Sequence, residues 1–173
     1  MHAKNDEFKP LGVAILTVSD TRDDSTDKSG AYLVEAVKAA GHRAAAKTIV
    51  RDNINDIQTV VSAWISKNDI DAIIVTGGTG FTKRDVTPEA IKSLFDKEIE
   101  GFGELFRALS FEEIGTSTLL SRALGGFANR TLIFALPGSM SACRTGWQRI
   151  ISAQLDSRTH PCNFAQLLAS YKS

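Results

Sequence analysis

The sequence predicts an α/β protein built on a mainly parallel sheet, and two observations carry that prediction. Short continuous apolar runs alternate with stretches whose apolar residues recur at helical spacing, the pattern of strand–helix–strand units. Polar, glycine- and aspartate-rich segments then fall just beyond the ends of four of those runs. Gly12–Val18 reads as a first strand buried on both faces. Ser29–Ala40 follows as a helix with Leu33, Val34, Val37 and Ala40 on one side and Gly41 closing it. Thr48-Ile49-Val50 ends a second strand. Asn53 caps the next helix, whose Ile54, Ile57, Val60, Val61, Trp64 and Ile65 form an apolar stripe. Asp71–Val75 is the third strand, and Thr87-Pro88 reads as N-cap and first residue of a helix carrying Ala90, Ile91, Leu94 and Phe95. Gly101–Arg107 opens a further helix with Phe102 and Phe106 inward. Arg122–Phe127 and Thr131–Leu136 read as paired strands around Ala128-Asn129-Arg130. The helix after Pro137-Gly138-Ser139 aligns Cys143, Trp147, Ile150, Ile151 and Leu155, and Asp156–Ser173 reads as a tail.

At 173 residues the chain suits one domain, and its 43% hydrophobic and 23% charged residues are ordinary for a soluble globular protein. A formal net charge of +0 argues against a nucleic-acid partner, which selects for basic excess, while leaving small anionic ligands open. The first ten residues lack the apolar core of a secretory signal, and no apolar run is long enough for a membrane span, so no membrane partner and a cytoplasmic location are expected. Cys143 and Cys162 make neither a disulfide framework nor a metal motif.

The chemistry points to one edge of the sheet. Ser19-Asp20, Asp52, the loop Gly77-Gly78-Thr79-Gly80 and Pro137-Gly138-Ser139 each follow a strand, and in open parallel sheets the ligand crevice lies along that carboxyl edge. Glycines there let backbone N–H groups approach an anion without a Cβ in the way. Lys83 and Arg84 can meet phosphate charge, and Asp85 can hold a divalent cation that phosphate also binds. A tight turn with a solvated rim would use the same residue types, and Asp20, Asp52 and Ser139 each have a turn or cap reading as well. The Arg-Asp pair and the helix start that follow favour the anion. The loop fits neither a dinucleotide fingerprint, since Lys83 occupies the third glycine position, nor a Walker A sequence. Aspartates, backbone amides and local Arg/Lys suit Mg²⁺-assisted phosphoryl or nucleotidyl transfer, which needs positioning and charge neutralisation more than a protein nucleophile.

These residues also carry a family likeness. Ile15-Leu16-Thr17-Val18-Ser19-Asp20, the segment Thr76–Ala90, Gly101-Phe102-Gly103-Glu104 and Leu136-Pro137-Gly138 occur in one order along almost the whole chain. Together they resemble the molybdenum cofactor biosynthesis proteins, the family of molybdopterin adenylyltransferase, protein B and the gephyrin-type G domain. Leu109–Thr118, Ala142–Thr145 and Gln154–Phe164 resemble its protein B branch. The resemblance implies a three-layer sandwich over residues 11–163, flanked by tails at 1–10 and 164–173. It implies Mg²⁺-ATP-dependent adenylylation of molybdopterin with pyrophosphate release, or alternatively molybdopterin carriage without catalysis. Asp52 and Asp85 then fall on the two catalytic, metal-holding aspartates. Ser19, Asp20, Gly77, Gly78, Thr79, Gly80, Arg84, Glu104, Pro137, Gly138 and Ser139 fall on the molybdopterin and nucleotide site. A homotrimer or homohexamer, and hand-off of product to a molybdenum insertase, are implied too.

Overall fold

Gly12–Val18 (β1), Arg43–Val50 (β2), Ala72–Thr76 (β3), Lys97–Glu98 (β4), Leu124–Ala128 (β5) and Thr131–Leu136 (β6) form one sheet in the computed structural model, which describes residues 7–171. Their order is β2-β1-β3-β6-β5-β4. The four strands from β2 to β6 run parallel, and β5 is antiparallel to both β6 and β4. Chain order reverses beside β1, whose neighbours are β2 and β3, the switch that opens a crevice in doubly wound sheets.

Alternation along each strand builds two cores. Val13, Ile15, Ala72, Ile74, Phe134 and Leu136 face one layer, where Leu33 and Val37 of the helix Lys28–Ala39 (α1) meet them. The helix Glu100–Ile114 (α4) adds Phe102, Phe106 and Leu109 to that layer. Ala14, Leu16, Ile73, Val75, Ile133 and Ala135 face the other, covered by Ile54–Ile65 (α2) and Thr87–Lys92 (α3). Helices on both faces explain why the central strands read as continuous apolar runs.

Met140–Gly146 (α5) continues through a π turn at Trp147–Ile151 into Ser152–Leu155 (α6). Cys143, Trp147, Ile151 and Leu155 all bury against the sheet. Their four-residue spacing outruns the α-helical turn, and the wider π turn absorbs the surplus.

Several local expectations change. Val86, not Thr87, stands at the N-cap of α3, because the Thr87 hydroxyl donates to the Gly77 carbonyl instead of capping its own helix. Leu94 and Phe95 lie beyond α3 yet still pack on its core. Arg122 and Ala123 precede β5 rather than belonging to it. The expected C-terminal tail carries a helix, Phe164–Ser170 (α7), because Asn163 caps it through Gln166 N–H and Ala165 and Leu168 bury in the first core. The expected N-terminal tail lies outside the described residues up to residue 6. No helix among the described residues is long and apolar enough to cross a membrane.

Candidate functional site

Strand register decides which loops meet. Thr17 pairs with Thr76, Thr76 with Leu136, and Val18 with Val50, so β1, β2, β3 and β6 end almost level. Ser19-Asp20, Asp52, the Gly77–Gly80 loop and Pro137–Ser139 therefore share one rim. Gly77 and Gly78 have φ of +103° and +66°, where side chains are disfavoured. A Cβ on Gly77 would lie 2.2 Å from the Val18 carbonyl oxygen, and one on Gly78 would lie 2.4 Å from Thr87 Oγ1 and 2.5 Å from Asp52 Oδ1. The loop is fastened by Gly77 N–H donating to Leu136 O (3.0 Å) and Thr87 N–H to Gly78 O (3.0 Å).

Three carboxylates gather beside it. The Asp52 N–H donates to Asp20 Oδ1 (3.1 Å), and Asp20 Oδ2 pairs with the exposed Arg84 guanidinium. Asp85 Oδ2 accepts from both the Thr82 N–H (2.8 Å) and hydroxyl (2.6 Å). Burial alone would raise the Asp85 carboxyl, but the Thr82 hydroxyl, the Thr82 and Gly80 amides and Arg122 together hold it below its ordinary range. Asp52 goes the other way. Burial first, then the charges of Asp20 and Asp85, push it up against a smaller pull from Arg84. Its Oδ1 is buried and has no hydrogen-bond partner.

An unpartnered buried carboxylate oxygen flanked by two acids fits a divalent cation. Among the described residues, no three His, Cys, Asp or Glu form a complete ligand set. A cation at Asp52 would thus take the rest of its shell from water or from a ligand's phosphate oxygens, as small hard cations commonly do.

Beside the carboxylates opens a cavity of about 280 Å³. Gly78, Thr79, Gly80 and Asp85 form one wall, and Pro137, Gly138, Ser139, Ser141 and Ala142 another. The third comes from α4 and the 3₁₀ turn Gly115–Leu120, through Phe106, Ser110, Glu113, Ile114, Ser117, Leu120 and Ser121. Apolar sides with many hydroxyls suit a flat, hydrogen-bonding ligand. A more open cleft of about 490 Å³ lies toward β2, with Ser19, Asp20, Arg22, Lys47 and Arg51 around it. Two donors pin the neighbouring β6 loop, since Arg22 Nη1 (3.1 Å) and Ser29 Oγ (2.9 Å) both donate to Gly138 O. Ser139 caps α5 by accepting from Ala142 N–H (3.2 Å).

The rim thus brings together Ser19, Asp20, Asp52, Gly77–Gly80, Arg84, Asp85 and Pro137–Ser139. Glu104 stays apart, exposed on α4 and outside the residues that line either cavity. Arg84 spends its charge on Asp20. The α4 wall and Arg122 were missed, since isolated serines and one arginine carry no local pattern. The one signal for the α4 wall was the likeness of Leu109–Thr118 to the protein B branch, a stretch that stops short of Arg122.

Fold and rim together define an α/β protein whose doubly wound sheet carries, along its carboxyl edge, a glycine loop beside a carboxylate cluster. The chain belongs to the family described as "Probable molybdopterin binding domain", whose sequence model matches residues 14–157. It is 58% identical over 158 residues to molybdenum cofactor biosynthesis protein B of Escherichia coli (strain K12), covering 91% of this chain and 93% of that one. A crystal structure of a molybdenum cofactor biosynthesis protein B superposes with a TM-score of 0.83 at 49% identity, over 85% of this chain and 92% of that one. The tungsten cofactor synthesizing protein MoaB from Pyrococcus furiosus follows at 0.74 and 38%, over 82% and 91%.

Proposed function

We propose that this protein acts in molybdenum cofactor biosynthesis as a molybdopterin adenylyltransferase. The observation that carries this reading is the buried, unpartnered Asp52 Oδ1 beside Asp20 and Asp85, set between a hydroxyl-lined cavity and a cleft edged by Arg22, Lys47 and Arg51. Molybdopterin occupies the cavity and ATP the cleft, so that their phosphates meet at the carboxylates. A terminal phosphate oxygen of molybdopterin attacks the α-phosphorus of ATP, the bond to the bridging oxygen breaks, and pyrophosphate leaves. Mg²⁺, held by Asp52 and Asp85 when bound, neutralises phosphate charge. Backbone amides of Gly78 and Thr79 orient the phosphates, those of Gly77 and Gly80 being committed to Leu136 O and the Asp85 carboxylate, and Pro137, Gly138 and Ser139 close over the pterin. Ser19 braces the β1 loop by accepting from Arg22 N–H (3.1 Å).

The same reading makes the protein a cytoplasmic homotrimer or homohexamer that hands adenylylated cofactor to an insertase. Exposed Phe111, Ile114, Leu119 and Leu120 beside the cavity support self-association. A second reading, molybdopterin carriage without transfer, is favoured by one observation: Arg84 is paired with Asp20 rather than turned toward the glycine loop.

Pyrophosphate release from Mg²⁺-ATP, with and without molybdopterin, separates the two. The expected result is molybdopterin-dependent release that Asp85→Asn lowers at least 10²-fold, in the range of one lost charge-stabilising group, about 10²–10³. Molybdopterin binding without release selects the carrier.

A further inference from the structure

We infer that Arg122 is the positioning residue that ties the Asp85 loop to the wall of the cavity opposite it, an inference that rests on the transfer reading of the same site. Arg122 follows directly on the 3₁₀ turn and Ser121, which line the cavity from the α4 side. Nearly every polar group it owns is spent on the glycine loop. Its backbone N–H donates to Thr79 O (3.0 Å), its Nε to Gly80 O (2.7 Å) and its Nη2 to Asp85 O (2.7 Å). Its Nη1 pairs with Glu89 in the first turn of α3, and the guanidinium lies 5.3 Å from the centre of the Phe81 ring. One residue thus grips the loop, its backbone N–H at Thr79 and its side chain at Gly80, Asp85 and Glu89.

The consequence falls on Asp85. The Asp85 carbonyl is held by Nη2 while its carboxylate turns back to Thr82, so the orientation of that carboxylate depends on where Arg122 holds the peptide. Arg122 does not reach the ligand space itself, so it acts through Asp85 and the glycine amides. A rigid fork satisfying two carbonyls and a carboxylate at fixed spacing is a task for arginine, and lysine, a single compact ammonium, cannot repeat it. The grip also joins two walls that no strand pairing connects, and their separation sets the width of the cavity.

The test compares Arg122→Lys and wild type as full-length protein by two readouts. Amide hydrogen exchange comes first: in Arg122→Lys the Gly80–Asp85 amides should exchange at least tenfold faster, while β1 and β3 amides stay unchanged. Unchanged loop exchange overturns the inference whatever the activity. Second, molybdopterin-dependent pyrophosphate release in Arg122→Lys should fall at least tenfold in kcat, with KM for molybdopterin moving less than threefold. Equal kcat despite a loosened loop overturns the positioning role. A purely structural residue would lower Tm without separating kcat from KM in this way. If wild type releases no pyrophosphate, the transfer reading fails on its own, and molybdopterin affinity then decides: at least fivefold weakening in Arg122→Lys supports the positioning role, and unchanged affinity overturns it.

Discussion

Asp52 is the residue at which stability and the proposed chemistry pull in opposite directions. Its carboxyl is pushed up by burial and by the charges of Asp20 and Asp85, and its Oδ1 has no partner. A group whose folded pKa exceeds its unfolded value of 3.8 lends stability only while protonated. That contribution is complete below 3.8 and disappears as pH rises through the folded value, so at neutral pH the ionised Asp52 burdens the fold. Asp52→Asn, which removes the charge but leaves a polar atom in the same place, is therefore expected to raise Tm at pH 7. The same substitution should lower pyrophosphate release by about 10²–10³-fold, as loss of one preorganised charge does. Thermal melts of the two proteins beside one activity assay check both halves. A variant that loses activity and also stability would show that Asp52 is structural. Asp52 itself was legible in the sequence as an acid following a strand. Its lack of a partner was not, because that depends on Gly78 packing against Oδ1 from a distant loop.

Elements were legible wherever periodicity was long. The Asn53 cap of α2, which accepts from Asn55 and Asp56 N–H, and the stripe from Ile57 to Ile65 follow the sequence pattern, while Ile54, expected in that stripe, is exposed. Leu33, Val34 and Val37 of α1 follow it too, while Ala40, expected beside them, is the exposed C-cap, followed by Gly41 with φ of +87°. Short elements were not legible, and α7 is the clearest case. Seven residues after a proline offer too little period to separate a helix from a tail, and what holds α7 is tertiary. Asn163 Nδ2 donates to Thr159 O (2.8 Å) while Oδ1 caps the helix, and Leu168 is 1% exposed. Leu168→Ala is expected to cost about 2–4 kcal/mol in urea unfolding, the range for a buried leucine. A cost below the ~0.5 kcal/mol of a surface change would mean that α7 is not docked in solution.

Across the whole molecule, His42 ties stability to pH. It is 5% exposed; Nδ1 accepts from Leu11 N–H (3.2 Å), and Nε2 has no partner. Burial lowers its pKa below 6.5, against smaller upward pulls from Asp156 and Asp71. Because the folded value is depressed, the unfolded chain binds the proton first. The neutral ring is fully compatible with folding above pH 6.5, and stability falls as pH drops from 6.5 toward the folded value. Tm of wild type is expected to decline through that window, and His42→Asn, which keeps an acceptor for Leu11 N–H, should flatten the decline; equal slopes would remove His42 as the cause. By itself the sequence determined the α/β class, the central strands, the long helices and the glycine loop with its aspartate, since each is written in local period and composition. Only the tertiary structure decided that four strand ends stand level, that Ser110 of α4 closes the cavity together with Ser117 and Ser121 at the turn after it, that Arg84 turns to Asp20 while Arg122 holds the loop, and that Glu104 stands apart. Those outcomes depend on register and packing between segments far apart in the chain, and no local window of sequence contains them.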